Sequence, residues 1–249
     1  VANQKGGVAK TTTVASLAEA FTERGHRILV VDLDSQACLT FSLGIDPEAV
    51  QASMHDVLVG TATPADVLLP VHDGLDLLPA TIDLAGTEAQ LLTRPGREFA
   101  LRTVLSPLRA EYGAVLIDCS PSLGVLTLNA LTAADEVIIP LQCEMLSHRG
   151  VGQLLDTIDD VRAILNPSLL VRGILPTMLD ARTSHGRAVL ADVHERYPVP
   201  VLEPSIPKSI RFAEAPALGR SVLRTARSSA GARAYRAVAA SLAEAWGLT

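Results

Sequence analysis

Short apolar runs alternate along the chain with segments whose apolar residues recur every three or four positions. Runs near Ile28–Val31, Leu75–Leu78, Val115–Ile117, Val137–Ile139 and Leu169–Leu175 are rich in Val, Ile and Leu, and each ends in polar or Gly/Pro residues. Continuous runs of this length predict strands covered on both faces, not strands with one wet face. A further strand is expected at Val199–Leu202. Helical spacing predicts helices over Thr11–Arg24 (closed by Gly25), Phe99–Glu111, Leu123–Ala133, Gly150–Leu165, Ala188–Arg196 and Ala230–Trp246. The segment Leu43–Pro70 follows neither period and is expected to carry short helices. Strands alternating with helices predict an α/β fold: a doubly wound, mostly parallel sheet with helices on both faces. No linker or repeat interrupts residues 1–249, which read as a single domain. Only two residues precede a loop-like segment, so the N-terminal strand is expected to be incomplete.

Composition narrows the class. Of 249 residues, 48% are apolar, which excludes a disordered chain. No apolar run approaches the 18 or so residues a membrane helix needs, and the polar, glycine-rich opening is not expected to act as a secretory leader. Three scattered cysteines, Cys38, Cys119 and Cys143, form no C-x-x-C pair and are read as small buried apolar residues of a cytoplasmic protein. The net charge of −6 hides an asymmetry: residues 182–236 hold ten Lys+Arg against four Asp+Glu. A basic third on an acidic protein is either a solvated face or a surface for a polyanion.

Candidate chemistry begins at Gln4-Lys5-Gly6-Gly7-Val8-Ala9-Lys10-Thr11-Thr12, which opens the first helix. Glycines let the backbone curl so that successive N–H groups face one anion, and the helix N-terminus adds its positive end. Lys10 is expected to reach the β- and γ-phosphates of a nucleotide and Thr11 to ligate Mg²⁺. The chain has only three lysines, Lys5, Lys10 and Lys208, so two of the three fall inside this loop. In an arginine-rich chain that exception marks positions where a compact ammonium is needed. Three carboxylates, Asp32, Asp34 and Asp118, stand at the C-terminal ends of two predicted strands, the end at which ligands sit in such sheets. Asp32 and Asp34 are two residues apart and on a regular strand would share a face. Carboxylates there suit holding Mg²⁺ through water and orienting the water that attacks a γ-phosphate.

Taken together these residues resemble the ParA/MinD/Soj family of deviant Walker ATPases, over nearly the whole chain. Lys5–Thr12 fits the deviant Walker A pattern K-G-G-x-x-x-K-T, Val31-Asp-Leu-Asp-Ser-Gln36 the second motif, and Ile117-Asp-Cys-Ser-Pro-Ser-Leu-Gly124 with Leu126-Thr-Leu-Asn-Ala-Leu131 the Walker B segment of the Soj branch. Met178-Leu-Asp-Ala-Arg-Thr183 and Ile206-Pro-Lys-Ser-Ile-Arg-Phe-Ala-Glu-Ala-Pro216 resemble that branch's C-terminal motifs. The resemblance implies ATP and Mg²⁺ as ligands, with Gly6, Gly7, Val8, Ala9, Lys10, Thr11 and Thr12 around the phosphates and Pro207 beside the adenine. It implies a homodimer in the ATP state, in which each Lys5 reaches the other subunit's nucleotide. Asp34 would position the attacking water and Asp118 would act in the metal's outer shell. It further implies non-specific binding of double-stranded DNA through Arg182 and Arg211, stimulation of hydrolysis by a ParB-like protein, a cytoplasmic, nucleoid-associated location and a role in partitioning, without a stable membrane anchor.

Departures from the family pattern fall at informative places. Ala9 replaces the usual Gly before Lys10; as a small helix former at a helix start it is expected to leave ATP binding intact. Ser35, Ala37 and Cys38 replace Pro, Gly and Asn, which bears on switch motion and turnover. Lys208-Ser209 replaces Arg-Asn at the base pocket, and Glu144-Met-Leu-Ser-His-Arg149 replaces E-Y-Y-A-L-E. An orphan paralogue with its own partner fits these changes. Rival readings share the same engine: a MinD-like ATPase cycling on a membrane, which would need Ala230–Trp246 to lie on lipid; an iron–sulfur carrier, which would need paired cysteine ligands; and a nucleotide-locked scaffold that hardly hydrolyses.

Overall fold

In the computed structural model, residues 1–143, 148–179, 188, 191–193 and 195–248 are described. Helix α1 (Lys10–Thr22) follows the glycine loop and leads into β1 (Ile28–Leu33). Short helices α2 (Cys38–Ser42), α3 (Met54–Val59) and α4 (Pro64–Val67) precede β2 (Leu69–His72) and β3 (Leu75–Leu78). Helices α5 (Leu84–Leu92) and α6 (Ala100–Leu105) lead to β4 (Ala114–Cys119), α7 (Val125–Ala133), β5 (Glu136–Gln142), α8 (His148–Ile164) and β6 (Leu170–Thr177). The C-terminal part carries α9 (Arg211–Glu214), α10 (Val222–Thr225) and α11 (Ala230–Trp246).

The strands run in the order β2-β3-β1-β4, with β1 parallel to both β3 and β4 and only the edge strand β2 antiparallel; β5 and β6 form a second parallel pair. Residues 1–3 lie between the two groups. Val1 N donates to the Ile117 carbonyl (2.7 Å), Ala2 N–H to Ile138 (3.2 Å) and Asn3 Nδ2 to Pro140 (2.7 Å), so residues 1–3 bridge β4 and β5. Beneath them a cavity of about 430 Å³ runs between Val115 of β4 and Val137 of β5, away from the glycine loop. Alternation along β1 decides the layering: Leu29, Val31 and Leu33 pack into one hydrophobic cluster with α3, α5, α6, α7 and α8, while Ile28 and Val30 pack into the other with α1 and α11.

Helix α11 has the bounds its period predicts. It buries Ala232, Tyr235, Val238, Ala239 and Leu242. Trp246, at its end, donates Nε1–H to Glu136 (2.6 Å) and packs its ring 5.3 Å from Phe21. The apolar face a lipid surface would need is thus spent on the domain. No described helix is long and apolar enough to cross a membrane.

Three expectations change. Phe99–Glu111 is not one helix: a 3₁₀ turn over Arg97–Phe99, α6, and a second 3₁₀ turn over Arg109–Glu111 replace it, because Pro107 interrupts the helical ladder. Val199–Leu202 is a single bridge, Ile174 to Val201, flanked by two backbone bonds; Pro200 has no N–H to extend the ladder. Strand β2 is not expected: it starts at the last two residues of Leu43–Pro70, the stretch expected to carry short helices, and runs on to His72. The predicted helix Ala188–Arg196 falls largely outside the described residues.

Candidate nucleotide site

The glycine loop is pinned from three sides. Asn3, fixed to β5, accepts a hydrogen bond from Lys5 N–H at Oδ1 (2.9 Å). Thr177, the last residue of β6, donates to the Val8 carbonyl (3.1 Å), and Gly150 of α8 lies against the loop, where a Cβ would touch Asn3 Oδ1 at 3.5 Å. Gly6 and Gly7 are exposed with nothing crowding them, and Gly7 takes φ +73°. Lys10 Nζ curls back over the loop to the Lys5 carbonyl (3.2 Å). Burial lowers the Lys10 pKa, opposed by the nearby charges of Asp118, Cys119 and Asp34.

Ala9 is the N-cap of α1 and sits at φ +71°, in the left-handed region. The expectation that it acts as a helix former is therefore corrected: the position demands a conformation that alanine dislikes and glycine accepts. Ala37, the second alanine at a usual glycine position, takes φ +50° at the N-cap of α2.

Asp32 and Asp118 are register partners on neighbouring strands. Asp32 is wholly buried; its Oδ2 accepts from Thr40 N–H (2.9 Å) and Thr40 Oγ1 (2.8 Å), and its Oδ1 from Asp34 N–H (3.1 Å). Burial pushes its pKa up to about 6, against those hydrogen bonds. Asp118 Oδ2 accepts from Thr11 Oγ1 (2.6 Å), while its buried Oδ1 has no hydrogen-bond partner among the described residues. Burial first, and then the facing Asp32, raise the Asp118 pKa. Asp34 lies beyond the strand, half-buried, with Oδ1 accepting from Gln36 N–H (3.0 Å). Strand β1 ends at Leu33, so Asp32 and Asp34 do not act as a pair on one face: Asp32 anchors α2 through Thr40, and Asp34 stays at the rim.

Thr11 and Asp118 are thus brought together, and Lys5, Lys10 and Asp34 belong to the same end of the sheet. Pro207 forms a bridge to Leu179, just past β6, and so also stands at that end. Arg182 lies outside the described residues. Arg211 stands on α9 with its side chain 60% exposed, paired at 2.9 Å with Glu214. Part of the basic surplus is neutralised internally: Arg224 pairs with the buried Glu19 (2.6 Å) and Arg236 with Glu23 (2.6 Å). The cysteine expectation needs correcting at one position. Cys119 and Cys143 are buried, but Cys38 is exposed on the first residue of α2. Among the described residues no group of three or more His, Cys, Asp or Glu is placed to hold a metal by itself. Sequence reading missed Asn3, Thr40 and Thr177, whose partners lie far away along the chain.

This arrangement defines a P-loop nucleotide-binding α/β protein. Residues 1–171 match a family model described as an AAA domain. The chain is 42% identical over 236 residues to the sporulation initiation inhibitor protein Soj of Bacillus subtilis, covering 94% of this chain and 93% of that protein. It is 43% identical over 238 residues to the chromosome partitioning protein ParA of Caulobacter vibrioides, covering 94% and 89%. Among solved structures, a Mycobacterium smegmatis protein named cobyrinic acid a,c-diamide synthase, determined with ADP and magnesium and with an ATP analogue and magnesium, is 54% identical with a TM-score of 0.89, over 99% of this chain and 93% of that one. The chain belongs to the ParA/Soj group of P-loop NTPases.

Proposed function

We propose that this chain is an ATP-hydrolysing switch that dimerises around Mg-ATP and, in that state, binds double-stranded DNA without reading its sequence. The observation that carries the nucleotide half is the Thr11–Asp118 contact, with the buried Asp118 Oδ1 left without a donor among the described residues and the Lys10 ammonium close enough to feel the Asp118 charge. A buried carboxylate oxygen with no donor is costly unless a cation or its water satisfies it, so the residues present fit a hydrated Mg²⁺. Magnesium, when bound, neutralises charge on the β- and γ-phosphates. The loop N–H groups of residues 6–12 and Lys10 then hold the phosphates, Thr11 ligates the metal, Asp118 holds its outer shell, and Pro207 lines the base. Asp34 at the rim orients the attacking water. Lys5 reaches the partner subunit's nucleotide in a two-fold dimer.

The DNA half rests on Arg211 and Arg182. An exposed pair such as Arg211–Glu214 contributes little, so Arg211 exchanges its carboxylate for a backbone phosphate at small cost. The likeness to a chromosome partitioning protein supports a partitioning or cargo-positioning role; a place at the nucleoid and a ParB-like activator of hydrolysis are part of the same proposal.

The name of the M. smegmatis relative, a diamide synthase, favours a second reading, ATP-driven amidation of a carboxylate. Taking ammonia from glutamine calls for an activated thiol, whereas burial raises the pKa of Cys119 and Cys143, and partial desolvation with the neighbouring charges of Asp34, Asp32 and Asp118 raises that of the exposed Cys38. The readings separate on phosphate release. Release from ATP alone, lost together with nucleotide affinity in Lys10→Ala, supports the switch. Unchanged nucleotide affinity in Lys10→Ala refutes the phosphate site, and release that appears only with a carboxylate acceptor and an ammonia source supports the synthase.

A further inference from the structure

The segment that carries Arg211 is mounted on the nucleotide site at both of its ends. Phe212, beside Arg211, is half-buried and stands edge-on to Tyr235 of α11, with ring centroids 5.8 Å apart and planes at 89°. Gly231 makes room for it: a Cβ there would collide with the Phe212 ring. Tyr235 is wholly buried, and its hydroxyl shares a 3.0 Å hydrogen bond with Thr13 Oγ1. Thr13 lies three residues past Lys10 on α1, and its N–H closes the first helical turn onto the Ala9 carbonyl (2.9 Å). At the other end, Gly219 presses backbone to backbone on Gly44, where a Cβ on Gly219 would lie 2.6 Å from Gly44 Cα. Gly44 follows α2, which Asp32 holds through Thr40.

We propose that Tyr235 is a positioning residue that transmits the nucleotide state of the glycine loop to the Arg211 surface, through Thr13 on one side and Phe212 on the other. The proposal rests on the reading above that the Arg211 surface binds DNA in one nucleotide state. A close-packed interior passes on a displacement as a change between discrete arrangements, because its side chains have no slack to absorb it. The first turn of α1 is where phosphate binding acts. The hydroxyl pair is the polar contact between that turn and α11, and the Phe212 ring is the contact between α11 and α9. Tyr235→Phe removes the hydroxyl and keeps the ring contact, so it breaks the first link alone.

The experiment is hydrogen–deuterium exchange of the full chain with Mg-ADP and with a non-hydrolysable ATP analogue, alongside duplex-DNA affinity in the same two states. In wild type, exchange over 209–219 differs between the nucleotides. In Tyr235→Phe that difference falls by about three- to tenfold, while protection of the loop over 4–12 and nucleotide affinity stay as in wild type. Thr13→Val gives the same loss, the double variant loses no more, and Thr13→Ser, which keeps a hydroxyl, retains the wild-type response. Phe212→Leu, at a half-buried site that spares the core, breaks the second link and also flattens the response. An undiminished difference in Tyr235→Phe or in Phe212→Leu overturns the proposal, as does a wild-type segment 209–219 that ignores the nucleotide. A nucleotide-dependent difference over 209–219 that disappears in Tyr235→Phe, in a protein that binds no DNA in either state, supports the relay and refutes the DNA reading.

Discussion

Ala9 and Ala37 sit where the backbone is left-handed, at φ +71° and +50°, and both belong to loops that frame the nucleotide site. For an L-residue that conformation costs about 1–2 kcal/mol relative to the right-handed one. Glycine does not bear this cost, but it loses about 0.4–1 kcal/mol more chain entropy on folding. The difference favours glycine by about 0.5–1 kcal/mol at each position. Neither substitution crowds a neighbour, since each removes a methyl group. For a chain of this size, about 1 kcal/mol corresponds to roughly 2–4 °C in Tm, so Ala9→Gly should raise Tm by a few degrees, whereas at Ala37, buried in the core, the lost methyl contact of about 0.8 kcal/mol offsets the backbone gain and Tm should change little. The assay is scanning calorimetry without nucleotide, with Ala237→Gly as control. Ala237 is exposed in the middle of right-handed α11, where the same change should cost about 1 kcal/mol and lower Tm. If Ala9→Gly lowered Tm as Ala237→Gly does, the claim that the loop is held left-handed would be wrong.

Asp34→Ala should keep ATP affinity, abolish phosphate release and leave the ATP dimer trapped on gel filtration; normal turnover would remove Asp34 from the chemistry. The buried pair Asp32 and Asp118 gives a pH dependence whose sign is fixed. Their folded pKa values are raised above the unfolded ones, so their contribution to stability is fully present below about pH 4 and is lost as pH rises through about 6 and beyond. Nucleotide-free protein in chelator should therefore melt lower at pH 8 than at pH 5.5. Mg-ATP, which prefers the ionised Asp118, should add more stability at pH 8. A chelated protein that melts higher at pH 8 would contradict the assignment.

Much of the fold is legible in the residues because its central strands are continuous apolar runs: the core of β1, all of β3 and the bounds of α11 follow directly from pattern. Strand β2 is not legible. Leu69-Pro70-Val71-His72 is four residues long, contains a proline and survives as an antiparallel edge, where a missing N–H is tolerated. The glycine loop stands out because two of only three lysines bracket Gly-Gly. What supports it does not. Asn3 pairs with Pro140, Thr177 with Val8 and Asp32 with Thr40, and such contacts are created by the sheet order, not by local spacing. The charge pattern picks out the basic third correctly as composition, yet Arg224 pairs with Glu19 of α1 and Arg236 with Glu23 at its C-terminal cap, which only the packing of α10 and α11 reveals.

The central claim is that nucleotide gates DNA binding, and it is tested most directly by measuring affinity for random-sequence duplex DNA with ATP, with ADP and without nucleotide, at low and moderate salt. Binding seen with ATP alone, falling steeply as salt rises and weakened in Arg211→Ala with ATP turnover intact, is the expected result. Absence of binding in every state, or equal binding with ATP and ADP, would contradict it.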